Sequence, residues 1–141
     1  MGPLALEGLP SGALVLLDSA PIIYQLEGHP SLAARFLPLF ECHAAGELSF
    51  AVTTISIAEV LTGPLRKGDE ALTKRYRAVL ESWQVVELTA DIAESAARLR
   101  GSLGLRLADA IQAASALAIN ADALATHDRD FSRLKALAVI S

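Results

Sequence analysis

The sequence predicts a three-layer α/β/α domain with a central parallel sheet of about five strands. Short apolar runs, such as Ala13-Leu14-Val15-Leu16-Leu17, alternate with longer amphipathic stretches. This alternation is typical of a parallel sheet with helices on both faces. The short runs are apolar throughout, as strands covered on both faces require. The chain has 141 residues, of which 52% are hydrophobic, so it has enough apolar material for one core.

The N-terminal third of the chain contains one predicted strand and two predicted helices. Residues 13–17 form the strand, because all five are apolar. A short helix follows over residues 21–27, with Ser19 as its cap. A second helix runs over residues 32–45, capped by Ser31, and carries Leu and Phe at helical spacing.

The middle of the chain repeats this arrangement. Residues 48–52 are apolar enough for a second strand. The helix over residues 56–66 begins with the capping-box pattern S-x-x-E, formed by Ser56 and Glu59. The next helix covers residues 69–82, where apolar side chains return on one side.

The C-terminal part supplies the remaining elements. A third strand lies within residues 83–88, and Thr89 caps a helix over residues 90–100. An Ala-rich helix follows over residues 107–120. The last two predicted strands are residues 122–126 and 137–140.

The sequence indicates one domain over residues 13–141, because it contains no repeat, low-complexity tract or linker. Residues 1–12 are rich in Gly and Pro and predict an irregular arm without the pattern of a signal peptide. No apolar run approaches the roughly 20 residues that span a bilayer. The single cysteine, Cys42, cannot form an intramolecular disulfide. These features predict a cytoplasmic protein without a membrane segment.

The net charge of −4 and the pI of about 5.3 argue against binding of nucleic acid by bulk charge. A local basic face remains compatible with this balance. Arg66, Lys67 and Arg106 are the best candidates for such a face, since they lie close in sequence to acids of the predicted site. Arg129 is a further candidate.

Four acids lie at or shortly beyond the ends of apolar segments: Asp18, Glu59, Asp109 and Asp128. Ligand sites of parallel sheets lie beyond the carboxyl ends of the strands. If these acids share that edge, four negative charges converge, and the cluster needs protonation or a cation. A metal held by carboxylates in turn indicates phosphate chemistry.

Each acid also has a purely structural interpretation. Glu59 completes a capping box, Asp109 suits the dipole at a helix start, Asp18 can cap the following helix, and Asp128 can form an Asx-turn. The joint pattern favours a shared site, because four independent coincidences would have to agree on one end of one sheet.

Other catalytic patterns are weak. The sequence has no H-x-x-x-H or C-x-x-C spacing for zinc and no G-x-x-x-x-G-K-[ST] loop for nucleoside triphosphates. His29 and His43 are expected at or near the surface. His127, beside Asp128, is expected to be a solvated loop residue, with substrate contact as the alternative.

Four segments carry a resemblance to the PIN-domain ribonucleases of the VapC toxin type. They occur in the family's order and at similar spacing, and the similarity runs from about residue 13 to the C-terminus. The segments are Leu17-Asp18-Ser19 with Ile22-Ile23-Tyr24, Thr53-Thr54-Ile55-Ser56-Ile57-Ala58-Glu59-Val60, Leu107-Ala108-Asp109-Ala110-Ile111-Gln112-Ala113-Ala114, and Ala125-Thr126-His127-Asp128-Arg129-Asp130-Phe131.

The resemblance implies a PIN-like sandwich and a Mg²⁺- or Mn²⁺-dependent endoribonuclease. The family's four acids map onto Asp18, Glu59, Asp109 and Asp128. Three supporting residues are Ser19, where Thr is common in the family, Thr126 and Asp130. The resemblance further implies a toxin of a type II toxin–antitoxin pair, with an RNA substrate, an antitoxin that covers the site, and a homodimer. The helices over residues 21–27 and 32–45 could form the dimer interface or ordinary core.

Two other classes of function compete with this interpretation. A receiver-like or phosphatase-like domain would also have an acidic pocket. However, no lysine follows a predicted strand, and Asp18-Ser19-Ala20 lacks the second acid of a D-x-D motif. A catalytically silent PIN-like binding module is the other alternative, and the presence of all four acids argues against it.

Overall fold

The computed structural model describes residues 6–128, 131 and 134–141. Arg129 and Asp130, two of the predicted site residues, lie outside the described part. The described residues form five strands and six helices. The strands are β1 (Ala13–Leu17), β2 (Leu48–Thr53), β3 (Gln84–Val86), β4 (Ala123–Ala125) and β5 (Ala138–Ile140). The helices are α1 (Ser19–Glu27), α2 (Leu32–Ala44), α3 (Thr54–Arg66), α4 (Glu70–Glu81), α5 (Ala90–Leu103) and α6 (Leu107–Ala118).

The five strands form one parallel sheet in the order β3-β2-β1-β4-β5. In the central strand β1, Ala13 pairs with Leu48 of β2, and Leu17 pairs with Ala125 of β4. Strand β1 therefore has neighbours on both sides, and its end lies between the ends of β2 and β4. The sequence-based prediction of an α/β/α fold with a parallel sheet of about five strands is confirmed.

Alternate residues of β1 point to opposite faces of the sheet and separate two cores. Val15 and Leu17 pack in the core that contains apolar side chains of α1 to α4, such as Phe36. Leu16 points the other way, into the core formed by α5 and α6, with Ile92 and other residues. These β1 side chains are fully buried, so the sheet is the middle of three layers, which explains the continuous apolar strands.

Two helix starts differ from the sequence-based prediction. Asp18, rather than Ser19, caps α1, because its carboxylate accepts a hydrogen bond from the Ser19 backbone N–H at 2.8 Å. Thr53, rather than Ser56, caps α3, because its hydroxyl accepts from the Ser56 N–H at 3.1 Å. Glu59 is consequently in the second turn of α3, and the capping-box interpretation of this residue is wrong.

Helix α3 ends at Arg66, as the sequence predicted, and runs through Gly63 and Pro64. The end of α5 differs from the prediction. Helix α5 extends beyond residue 100 to Leu103, because Gly104 supplies the left-handed conformation (φ 69°) that ends it. Among the described residues, no helix is both long and apolar enough to cross a membrane.

Candidate functional site

Three strands end at one edge of the sheet, here called the carboxyl edge, and bring the predicted acids towards one another. Asp18 directly follows β1, and Glu59 lies in α3, which begins as β2 ends. Asp128 comes three residues after the last residue of β4. Asp109 lies in the first turn of α6. Asp18 and Asp128 are both within electrostatic range of Asp109, so the acids of separate elements share one region.

Asp18 is held by three hydrogen bonds to its carboxylate. Its Oδ1 accepts hydrogen bonds from the Ser19 N–H at 2.8 Å and from Gln112 Nε2 at 3.1 Å. Its Oδ2 accepts from the Thr126 hydroxyl at 2.9 Å. A carboxylate offers about four acceptor positions. Three are therefore occupied, and the remaining one belongs to Oδ2.

Thr126 connects two of the acids. Its hydroxyl donates to Asp18 and also accepts from the Asp128 backbone N–H at 3.0 Å. Thr126 is fully buried, and Asp18 N–H donates to the Ala125 carbonyl at 2.8 Å. The end of β4 is thus fixed against the end of β1, which sets the position of the Asp128 backbone relative to Asp18.

The surroundings of Asp109 raise the pKa of its carboxyl group. Burial, then the negative charges of Asp128 and Asp18 and a hydrogen bond with Asp128, raise its pKa to about 6, while Arg106 opposes the rise. Its Oδ2 is buried, with no hydrogen-bond partner among the described residues. A buried carboxylate oxygen without a donor is costly, and a bound cation would relieve that cost.

Glu59 is linked to the same charges, although the residue is exposed. Partial burial of its carboxyl group and the negative charge of Asp18 raise its pKa, and a hydrogen bond from Ser19 opposes the rise. Ser19 is buried. The structure therefore places Ser19 between two acids, Asp18 through its backbone and Glu59 through its side chain.

Gln112 is a member of the site that the sequence analysis missed. It is 1% exposed and contacts three side chains from other elements. Besides donating to Asp18, its Nε2 donates to the Ser56 hydroxyl at 2.6 Å, and its Oε1 accepts from the Thr53 hydroxyl at 2.9 Å. A sequence signal was present, because Gln112 is three residues after Asp109 on the same helix face, within an apolar stretch.

His127 is not the solvated loop residue that the sequence predicted. It is half-buried, and its Nδ1 is 2.8 Å from the Tyr24 hydroxyl. The rings of Tyr24 and Phe36 pack edge-on against the imidazole. Burial and the negative charge of Asp18 raise the pKa of Tyr24, so this group of rings adjoins the acids and holds the segment that carries Asp128.

The predicted basic residues occupy different positions. Arg106 lies directly before α6, and its positive charge acts on Asp109. Arg66 and Lys67 are exposed at the opposite end of α3, about 18 Å from its first residue at 1.5 Å per residue. Of the predicted basic residues that the structure describes, Arg106 is therefore the one beside the acids.

The donor set suits a hard divalent ion. Oδ2 of Asp18 and Oδ2 of Asp109 both have spare acceptor capacity and match the preference of Mg²⁺ and Mn²⁺ for oxygen ligands. Within residues 6–128, 131 and 134–141, no three Asp, Glu, His or Cys side chains are grouped closely enough to hold an ion. Ion binding would therefore have to draw a third ligand or waters into the coordination sphere.

Comparisons with known proteins agree with this architecture. Residues 15–137 match the family described as PIN domain. A comparison with curated protein sequences found no match. Among solved structures, the chain is similar to a toxin–antitoxin complex from Klebsiella pneumoniae, at 25% identity and a TM-score of 0.71 over 90% of this chain and 96% of that chain.

Two further structures share the fold. One is VapBC2 from Rickettsia felis, bound to a DNA fragment from its promoter, at 22% identity and a TM-score of 0.71 over 89% of this chain and 96% of that chain. The other is VapC20 from Mycobacterium tuberculosis, described as a toxin that cleaves the sarcin–ricin loop, at 16% identity and a TM-score of 0.69 over 86% and 95%. The family match spans most of the sequence, both cores and the carboxyl edge, and the chain belongs to the PIN domain family.

Proposed function

We propose that the protein is a metal-dependent endoribonuclease and the toxin of a type II toxin–antitoxin pair. The observation that carries the proposal is the buried Asp109 Oδ2 at the carboxyl edge, which has no hydrogen-bond partner among the described residues and lies in the field of the Asp18 and Asp128 charges. The PIN family match and the similarity to toxin–antitoxin structures support it. VapC20, which has a similar fold, is described as a toxin that cleaves the sarcin–ricin loop, and this description supports the choice of RNA as the proposed substrate.

Each acid has a role in the proposed reaction. Asp18 and Asp109 would be the central ligands of Mg²⁺ or Mn²⁺, each through an Oδ2 that has spare acceptor capacity. Asp128 would bind directly or through water, and Glu59 would orient the attacking water or bind a second ion. When bound, the ion would supply Lewis acidity toward the scissile phosphodiester and lower the pKa of water. Ser19 and Thr126 hold Asp18 in place, and Asp130 is a proposed reserve acid outside the described residues.

Substrate binding is proposed to use local charge rather than net charge. Arg106 is beside Asp109 and can contact a phosphate next to the scissile bond. Arg66, Lys67 and Arg129 are proposed to contact the RNA backbone further away. Such contacts hold RNA by its shape and phosphates, which is compatible with a chain whose net charge is −4.

The proposed antitoxin partner follows from the similarity to toxin–antitoxin structures. Leu107 is 55% exposed two residues before Asp109, and an exposed leucine at this position suits coverage by an antitoxin protein. We further propose a homodimer, one PIN domain over residues 13–141 with residues 1–12 as an arm, and a cytoplasmic location together with the RNA. The family match does not favour the receiver-like or phosphatase-like alternatives.

A cleavage assay tests the enzymatic proposal. The purified protein is incubated with structured RNAs and Mg²⁺ or Mn²⁺, and products are resolved on denaturing gels. We expect internal cleavage that EDTA abolishes. Asp18→Asn and Asp109→Asn each remove one ligand charge while keeping the side-chain shape, and we expect both to lower the cleavage rate by at least about 100-fold.

The matched control is Glu41→Gln, which neutralises an exposed acid near the C-terminal end of α2. This variant should cleave like the wild type. Circular dichroism verifies that all variants are folded. Wild-type protein that binds Mn²⁺ but leaves every RNA intact would favour the catalytically silent module, and Asn variants that cleave at the wild-type rate would remove both acids from the mechanism.

A further inference from the structure

We propose that Gln112 is the positioning residue that fixes the Asp18 carboxylate for divalent-ion binding. This role rests on the proposed function, because Asp18 is one of the two central ligands. Gln112 is not offered as a ligand or a catalytic group. It acts by holding the Asp18 carboxylate from helix α6. Hydrogen bonds to three side chains in turn fix the orientation of its own amide.

The amide of Gln112 has one consistent orientation. Thr53 Oγ1 already accepts from the Ser56 N–H, so its single proton is available to Gln112 Oε1 at 2.9 Å. An ionised Asp18 can only accept, so the side of the amide that faces it must be Nε2. The second Nε2 proton goes to the Ser56 hydroxyl at 2.6 Å. Reversal of the amide would place its oxygen against the carboxylate.

This fixed amide determines which Asp18 oxygen is available. Gln112 Nε2 and the Ser19 N–H both bind Oδ1, which occupies both acceptor positions of that oxygen. The spare position is thereby left on Oδ2, beside Thr126. The χ2 torsion of an aspartate is broad and roughly two-fold. Without Gln112, Oδ1 regains an acceptor position, and the carboxylate loses the contact that distinguishes its two oxygens.

Burial makes the contact effective. Gln112, Thr53 and Ser56 are each no more than 1% exposed, so water does not compete for these hydrogen bonds, and a missing partner is costly. The three residues belong to α6, the end of β2 and α3. Through them, the position of Asp18 at the end of β1 is set by three other elements of the fold.

Replacement of Gln112 by Met tests the role. Met keeps an unbranched side chain of similar length but removes both the amide donor and the acceptor. We expect the Kd for Mn²⁺, measured by titration calorimetry, to rise about 10- to 100-fold, as is typical for residues that support metal ligands. The kcat for RNA at a fixed Mn²⁺ concentration below the wild-type Kd should fall by a similar factor, while KM for RNA stays the same.

Ser115→Ala is the matched control. Ser115 lies one helical turn further along α6 and is 1% exposed, and among the described residues no hydrogen bond joins its side chain to Asp18. It should change thermal stability without changing the Mn²⁺ affinity or kcat. If Gln112→Met lowers the Tm but binds Mn²⁺ and cleaves RNA like the wild type, Gln112 is only a buried structural amide, and the inference is overturned.

Ser56→Ala provides a second test, which also applies if Gln112→Met does not fold; where both variants fold, they complete a double-mutant cycle. Ser56→Ala should weaken Mn²⁺ binding, by a smaller factor than Gln112→Met, because one of three anchors of the amide is lost. Since Ser56 acts through Gln112, the double variant should bind Mn²⁺ no more weakly than Gln112→Met. Unchanged Mn²⁺ affinity in Ser56→Ala, or additive losses in the double variant, would contradict the role. Wild-type protein that neither binds Mn²⁺ nor cleaves RNA would instead refute the proposed function.

Discussion

At the level of single residues, Asp109 shows how the site and the stability of the protein oppose each other. The pKa of its carboxyl group is raised from 3.8 to about 6, first by burial and then by the charges of Asp128 and Asp18. Between these pH values the folded protein binds more protons than the unfolded chain. The free energy of unfolding therefore decreases as the pH rises from about 4 to about 6, and Glu59, whose pKa is also raised, contributes in the same direction.

We predict that Asp109→Asn is more stable than the wild type at pH 7 in the presence of EDTA, and about equally stable at pH 4. At pH 4 the wild-type carboxyl is mostly protonated and resembles the amide, whereas at pH 7 it carries a poorly solvated charge. The measurement is the Tm of both proteins across this range. Glu41→Gln is the control, and a Tm difference between Asp109→Asn and wild type that does not vary with pH would contradict the prediction.

The candidate site residues that could be predicted from the sequence are those marked by a pattern in their immediate neighbourhood. Asp18, Glu59, Asp109 and Asp128 each lie at or shortly beyond the end of a recognisable element, and the structure places them in one region. The role of Gln112 could not be predicted in the same way, because its partner Thr53 is 59 positions away. Likewise, the hydrogen bond between Tyr24 and His127 joins positions 103 residues apart, and it explains why His127 is not solvated.

At the level of elements, helix starts were predictable only where one capping residue was present. Thr89 is the sole strong capping residue before α5, and the structure confirms it as the cap. At α1 and α3, two capping residues compete, and the more N-terminal one prevails. Ser56 does not cap α3, because its hydroxyl is buried against Gln112. The outcome therefore depends on tertiary contacts that the local pattern does not contain.

We predict that Thr89→Ala lowers the free energy of unfolding by about 1 kcal/mol, the usual cost of losing a helix cap. The Thr89 hydroxyl accepts from the Ile92 N–H at 3.2 Å, and this donor would lose its protein partner. Urea denaturation measures the difference. The control is Ser31→Ala at the start of α2, because the Ser31 side chain makes no cap hydrogen bond.

The Ser31→Ala variant also tests which side chain caps the start of α2, that of His29 or that of Ser31. His29 Nδ1 accepts from the N–H groups of Ser31 and Leu32 and thus takes over the capping role. We therefore expect Ser31→Ala to be close to neutral. A loss as large as that of Thr89→Ala would mean that the Ser31 hydroxyl, and not the His29 ring, stabilises the start of α2.

At the level of the whole molecule, the order of the strands is what assembles the site. The apolar alternation predicted a parallel sheet but did not specify that β4 lies beside β1 rather than beside β3. That pairing brings Thr126 to Asp18, 108 positions away in the sequence. The fold class could be read from local patterns, whereas the shared carboxyl edge required the strand order.

Divalent ions should consequently stabilise the whole fold. This effect should reverse the order of thermal stability of the wild type and Asp109→Asn. An ion that binds only the folded state stabilises it by about 2.7 kcal/mol at 100 times its Kd. We predict that millimolar Mn²⁺ raises the Tm of the wild type at pH 7 and leaves that of Asp109→Asn nearly unchanged. The variant should then be the more stable protein in EDTA and the less stable one in excess Mn²⁺, because the charge that destabilises the free protein is the charge that binds the ion. Differential scanning calorimetry with and without Mn²⁺ measures both rankings, and equal Mn²⁺ shifts in the two proteins would exclude Asp109 as a ligand.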